Sequence, residues 1–225
     1  MTGLPAGPSA TTRPLVLFDL DNTLVDRLGA FKVWAAEFAA SRGLGEEAVP
    51  WMVALDADGS LPMDAFFALV RDRFGLAEPV EALWAAYRAR LPFLVSCPAD
   101  VLDGLDLLRA AGWAVGIATN GMADNQIGKL RRTGLADRVD GWAISGAEGV
   151  RKPDARLFEI AARRCGASLD TGGWIVGDDP IKDIAGGRDA GLRTIWIDRK
   201  ETGGVVADHT VPDARSAIEL LIQLN

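Results

Sequence analysis

Between Trp113 and Asp198 short, wholly apolar runs alternate with amphipathic stretches, and this alternation restricts the fold more than any other feature of the 225 residues. The runs are WAVGIAT (Trp113–Thr119), GWAIS (Gly141–Ser145), GWIVGD (Gly173–Asp178) and RTIWID (Arg193–Asp198). Helical patterns lie between them at Asp124–Arg132, Pro153–Cys165 and Ile181–Ala190. Strands apolar on both sides must be covered on both sides, and strand–helix alternation implies right-handed crossovers. The expected class is α/β, a parallel sheet with helices on both faces.

The stretch LVLFDLDNTLVD (Leu15–Asp26) adds a further buried strand that runs straight into Asp19 and Asp21. Up to about Leu91 the pattern then changes. LGAFKVWAAEFAASRGL, EEAVPWMVAL, PMDAFFALVRDRF and VEALWAAYRARL all space apolar residues helically, punctuated by Gly43, Gly59, Gly75 and Pro79. A four-helix unit is therefore expected after the first strand, with LPFLVSCPAD as the linker back. The implied organisation is a core of residues 14–26 and 97–225, a helical insertion over 27–96 and a flexible tail over 1–13. The tail lacks a basic start followed by an apolar core, so it does not read as a signal peptide.

In open α/β sheets ligands bind beyond the carboxyl ends of the strands. Here those ends carry Asp19 and Asp21, Thr119-Asn120-Gly121, the loop to Arg151-Lys152-Pro153-Asp154, and Asp178-Asp179 with Asp183 beyond. Carboxylates gathered in a crevice need positive charge between them. A hard cation such as Mg²⁺ takes oxygen ligands together with a substrate phosphate. Asp19 and Asp178 suit direct ligation, and Asp183 suits support through water or a bond to Lys152. The Thr119 hydroxyl, the Asn120 main-chain N–H and the Lys152 ammonium suit phosphoryl oxygens. A carboxylate can attack phosphorus, and a second carboxyl can protonate the leaving alcohol and then deprotonate water. Asp19 as nucleophile and Asp21 as acid/base fit that division.

Asp19-x-Asp21-x-Thr23, Thr119-Asn120, Lys152-Pro153 and Gly177-Asp178 with Asp183 closing G-D-x-x-x-x-D occur in one order, and together they resemble the haloacid dehalogenase superfamily of phosphohydrolases. The resemblance runs from about Leu15 to Asp198. It implies a Rossmann-like core, Mg²⁺ and an aspartyl-phosphate intermediate, with Asp19 as nucleophile, Asp21 as acid/base and the Asp21 main-chain carbonyl as a further metal ligand. The metal set is then Asp19, Asp21, Asp178 and Asp183. The four-helix insertion is similar to the family's first-type cap over small substrates, and Leu55–Pro62 becomes a candidate specificity loop. Dehalogenase and phosphonatase members lack the second acid, so Asp21 points to the phosphatase branch. Phosphosugar mutases of the β-phosphoglucomutase type share Asp-x-Asp and stay as the alternative. A non-catalytic phosphate-binding module has no need of Asp21. The expected activity is Mg²⁺-dependent hydrolysis of a small soluble phosphomonoester, phosphoglycolate-, nucleotide- or sugar-phosphate-like.

Lys and Arg total 24 against 31 Asp and Glu, a net charge of −7 without a basic cluster, which argues against nucleic-acid or anionic-membrane partners. No apolar stretch is long enough to span a bilayer. Cys97 and Cys165 lie far apart without a C-x-x-C, as in a cytoplasmic protein with reduced thiols. The expected assembly is a monomer or homodimer. His209 reads as a surface or strand-edge residue, Asp179 as a helix cap, and Arg151 and Lys182 as surface charges. Trp34, Trp51 and Trp84 read as packing residues with a secondary role as pocket candidates.

Overall fold

The computed structural model describes residues 13–224, so the tail expected over 1–13 lies, Arg13 apart, outside the described residues. The strands are β1 (Leu15–Phe18), β2 (Ala114–Thr119), β3 (Gly141–Ile144), β4 (Trp174–Gly177), β5 (Arg193–Ile197) and β6 (His209–Val211). All pair in parallel, in the order β3-β2-β1-β4-β5-β6. The chain works outward from β1 to β3 and then returns to the other side of β1 for β4. The point where it reverses, between β1 and β4, is where such sheets open a crevice. Phe18 pairs with Ile117 on one side and Val176 on the other, which levels the ends of β1, β2 and β4.

The insertion after β1 carries four helices: α1 (Arg27–Arg42), α2 (Ala48–Asp56), α3 (Met63–Phe74) and α4 (Val80–Arg90). The rest are α5 (Ala99–Ala110), α6 (Ala123–Arg132), α7 (Ser145–Glu148), α8 (Ala155–Arg164), α9 (Gly186–Asp189) and α10 (Ala214–Gln223). Asp26 starts α1 by accepting the Gly29 N–H at 2.8 Å, and Gly43 ends it at φ 62, where a side chain would strain the backbone.

Alternate residues of β1 point to opposite faces. Leu15 and Leu17 meet Ala114, Ala118 and Ile175 beneath Leu157, Phe158 and Ala161 of α8. Val16 and Phe18 join Val115, Ile117, Val176 and Ile195 in a cluster that continues through α5, α6 and α10 into α1–α4. Inside the insertion, Phe31, Trp34, Phe66, Phe67 and Tyr87 pack largely edge to face, with Trp34 and Tyr87 centroids 4.8 Å apart at 83°. Trp34 is thus a packing residue. So is Trp51, edge-on to Phe74 with Arg73 over its face. Only Trp84 of the three lines the large cavity described below.

The helix expected over Ile181–Ala190 opens differently. Pro180–Ala185 winds as a π-helix before α9, with the Asp179 carbonyl accepting from both Asp183 and Ile184. Such wide turns occur preferentially at functional sites.

Candidate active site

The site begins where β1 and β4 end. The Asp19 N–H donates to the Val176 carbonyl at 2.8 Å, which holds Asp19 level with Asp178. The π-turn brings Asp183 beside them, and carboxylate oxygens of Asp19, Asp178 and Asp183 lie within 4.8 Å of one another. Lys152, 2% exposed, sits between two of them, its Nζ 2.5 Å from Asp19 Oδ1 and 2.6 Å from Asp183 Oδ1. Asp183 Oδ2 accepts the Asp179 N–H at 3.0 Å. Asp179 itself caps the turn, accepting from the Ile181 and Lys182 N–H groups, with Lys182 Nζ 2.5 Å from its other oxygen.

Gly177 makes this possible. A Cβ there would lie 2.3 Å from Asp183 Oδ2. Gly177→Ala is expected to displace Asp183 and lower turnover by about 100-fold, the scale of an ångström-level misplacement. A kinetic comparison checks it, and an alanine variant with wild-type kcat would show that Asp183 need not sit where it does.

Burial pushes the Asp19 carboxyl up to about 7 from an ordinary 3.8, with neighbouring Asp183 adding to the rise and Lys152 opposing it. Burial and then the Asp19 charge push Asp178 up to about 6, against Arg199. In the folded protein both carboxyls hold protons that the unfolded chain releases. Between about pH 4 and pH 7 the native state therefore binds more protons than the unfolded state, and this contribution to stability falls as pH rises. Metal-stripped protein is expected to melt at a lower temperature at pH 8 than at pH 5 on this account, and magnesium is expected to flatten the difference. Calorimetry in both buffers, with and without Mg²⁺, checks it. A magnesium-independent slope would remove the carboxylate cluster as its cause.

Asp21 stands outside this cluster. Its carboxylate is taken by Lys129, with Nζ at 2.6 and 2.8 Å from its two oxygens, and by Gln126 Nε2 at 3.0 Å. Burial would raise its pKa, but the charges of Lys129 and Arg27 and the bonds from Lys129 and Gln126 hold it below the usual range. Of the expected metal set, Asp21 thus has only its main-chain carbonyl left to offer. Thr119 ends β2 with its hydroxyl accepting from Gln126 Nε2 at 2.7 Å. The Asn120 side chain spans the gap to the lysine loop, donating to the Lys152 carbonyl at 3.1 Å and accepting the Lys152 N–H at 2.9 Å. It holds Lys152 in place, a positioning contact that the sequence did not indicate.

A cavity of about 920 Å³ opens above these groups, within the range of small-molecule sites. Its far wall comes from the insertion: the turn Ala57–Gly59, Leu61–Asp64, Trp84, Tyr87 and Arg88. Asn22, at φ 61, forms the turn after Asp21 and reaches that wall, its Nδ2 donating to Asp58 Oδ1 at 3.0 Å. Asp58 also meets Arg199 at 3.1 Å and Lys200 at 2.8 Å, and Arg199 meets Asp178 at 2.8 Å. Arg199 so links the turn within Leu55–Pro62 to the carboxylate cluster. Behind the turn, Arg27 and Asp56 form a bidentate pair at 2.7 and 2.6 Å, both buried.

Sequence reasoning passed over Gln126, Lys129, Arg199 and Arg27–Asp56. Their only signal is charge or amide at helix positions that should face a core, as with Gln126 and Lys129 beside Leu130. Arg151 is exposed and Lys182 half-buried, as expected of surface charges, and both also stand along the cavity.

The profile of the haloacid dehalogenase-like hydrolases matches residues 16–197, and the chain belongs to that family. A phosphoserine phosphatase of Thermus thermophilus is 43% identical over 91 residues, 40% of this chain and 36% of that protein. The pyrimidine 5'-nucleotidase PynA of Streptococcus pneumoniae is 29% identical over 196 residues, 80% of this chain and 82% of that protein. The matches span 36% to 58% of the length of the first curated relatives. The HAD-hydrolase YfnB of Bacillus subtilis, solved bound to magnesium, superposes with a TM-score of 0.75 at 19% identity, covering 94% of this chain and all of that one. At that identity the superposition speaks for the fold.

Proposed function

From the premise that the chain is a haloacid dehalogenase-like hydrolase, we propose that it is a magnesium-dependent phosphatase of a small phosphorylated metabolite, acting through an aspartyl-phosphate. The observation that carries the reading is the convergence of Asp19, Asp178, Asp183 and Lys152 at one strand-end crevice with Asp21 beside them. The phosphatase and nucleotidase relatives support it.

The donor set fits a hard divalent cation: three carboxylates have only Lys152, on Asp19 and Asp183, and Arg199, on Asp178, against them, and burial with mutual repulsion raises all three pKa values. Asp19, Asp178 and Asp183 with the Asp21 carbonyl would hold Mg²⁺. When bound it supplies positive charge that lets an anionic carboxylate approach an anionic phosphoryl group. Lys152 and the Thr119 hydroxyl bind phosphoryl oxygens, with the Asn120 N–H as a further donor. Asp19 attacks phosphorus in line; the Asp19–phosphorus bond forms, the bond to the leaving oxygen breaks, and that oxygen takes a proton from the form of Asp21 that has first gained one from solvent, which leaves Asp21 as the carboxylate held by Lys129 and Gln126. Water then attacks phosphorus, Asp21 takes its proton, and Asp19 is released with inorganic phosphate.

The four-helix insertion acts as a cap: its turn at Ala57–Gly59 and Trp84 close the cavity over a small leaving group. Among the described residues no helix is long and apolar enough to cross a membrane. Cys97 and Cys165 are free, with burial pushing both thiols up to about 12. With the acidic net charge of −7, these features support a cytoplasmic enzyme without nucleic-acid or membrane partners.

Phosphate release across phosphoglycolate, phosphoserine, nucleotides and sugar phosphates tests the reading. Activity is expected with Mg²⁺, is lost in EDTA and returns when magnesium is added back. An isomerised sugar phosphate in place of free phosphate would make it a mutase, and no turnover on any ester would remove the catalytic reading.

A further inference from the structure

We propose that Gln126 and Lys129, two residues of α6, are positioning residues that orient two reacting groups together, the Asp21 carboxylate and the Thr119 hydroxyl. The inference rests on the reading of Asp21 as acid/base and Thr119 as phosphoryl donor.

Positions 126 and 129 are one helical turn apart and share a face. They are 1% and 2% exposed, so their polar heads need partners inside the protein. Lys129 Nζ finds both oxygens of Asp21, and Gln126 Nε2 approaches Oδ2 from the same helix. With both oxygens tethered to α6, the carboxylate cannot rotate away from the cavity it lines.

The Gln126 amide can face only one way. Its Nε2 lies 3.0 Å from Asp21 Oδ2, 2.7 Å from Thr119 Oγ1 and 3.3 Å from the Asn120 carbonyl. The Asn120 carbonyl only accepts and Asp21 Oδ2 already accepts from Lys129, so nitrogen rather than oxygen must be on that side. Thr119 Oγ1 then accepts from Gln126. A hydroxyl has one proton, and among the described residues the Thr119 hydroxyl donates to no protein acceptor. Its hydrogen is turned away from the amide, toward the cavity where a phosphoryl oxygen would bind. Gln126 thereby makes Thr119 a donor, and Lys129 keeps Asp21 aimed at the leaving oxygen.

The full-length protein with Mg²⁺ is assayed on phenyl phosphate and p-nitrophenyl phosphate, with inorganic phosphate as competitive inhibitor. Nitrophenolate departs without a proton, whereas phenolate needs one. Lys129→Met is therefore expected to lower kcat on phenyl phosphate at least about tenfold more than on p-nitrophenyl phosphate, with Lys129→Arg recovering much of the difference. Gln126→Leu is expected to raise the phosphate inhibition constant about tenfold, the scale of one lost hydrogen bond to a charged group. In a Thr119→Val background the same change is expected to raise it little, because Gln126 acts through Thr119. Melting curves accompany each variant, and Lys129→Gln or Gln126→Asn takes the place of any that does not fold, with the same expectations. Equal losses on both aryl esters, or additive effects in the Thr119 cycle, would overturn the proposal while leaving the phosphatase reading intact. A wild-type protein that hydrolyses neither ester nor any metabolite would overturn both.

Discussion

Asp19→Asn is expected to lower kcat by at least about 10⁴-fold, the scale seen when a covalent nucleophile is removed, while the protein still folds. The amide has no anionic oxygen to attack phosphorus, and the neighbouring Asp21 is tied to Lys129 and does not substitute for it. Folding survives for a separate reason. Lys152 keeps Asp183 at 2.6 Å, so the buried ammonium is not left without an anion. Burial already pushes the Asp19 carboxyl up to about 7, which means that its ionised form is a burden on the metal-free fold near neutral pH. Removing it is therefore expected to leave the melting temperature at pH 8 unchanged or higher, and to weaken the stabilisation by magnesium. Steady-state kinetics and thermal melts on one preparation check both parts, and a variant with wild-type kcat would sink the nucleophile assignment.

Asp56→Ala should produce the largest loss of stability. Arg27 and Asp56 form a bidentate pair at 2.7 and 2.6 Å, at 7% and 0% exposure. Asp56 also accepts the Gly59 N–H at 2.9 Å, closing the turn that carries Asp58 to the cavity. Removing one partner of a buried pair leaves an uncompensated charge, at about 3–5 kcal/mol. For a chain of this size that lowers the melting temperature by about 10 °C. Replacing both partners with apolar residues, Arg27→Met with Asp56→Leu, is expected to recover most of the loss, since a matched apolar pair leaves no buried charge alone. If the single variant melts within about 2 °C of wild type, or the double variant melts no higher than the single, the buried pair is not what holds the insertion together.

Much of the sheet was open to reading because its strands are apolar on both sides, a pattern that solvent-exposed segments do not show. α10 is equally legible, with Asp213 ahead of Ala217, Ile218 and Leu221 at helical spacing. β6 was not. Its three residues, His209-Thr210-Val211, form no apolar run, and they pair only because β5 offers an open edge. The turn at Asp56–Gly59 reads locally as a polar loop, whereas folding buries Asp56 and aims Asp58 at Arg199.

The sequence by itself determined which groups stand at the strand ends. Chain order and apolar alternation place Asp19, Thr119 and Asp178 at the carboxyl edge of a parallel sheet, whatever surrounds them. Tertiary structure alone decided which charge meets which. Asp21 and Lys129 are 108 positions apart, and Lys152 and Asp19 are 133. A lysine within an otherwise regular helix carries no local mark of its partner. Only the packing of α6 against the sheet, and the low dielectric that makes an unpaired buried charge costly, select Asp21 for it.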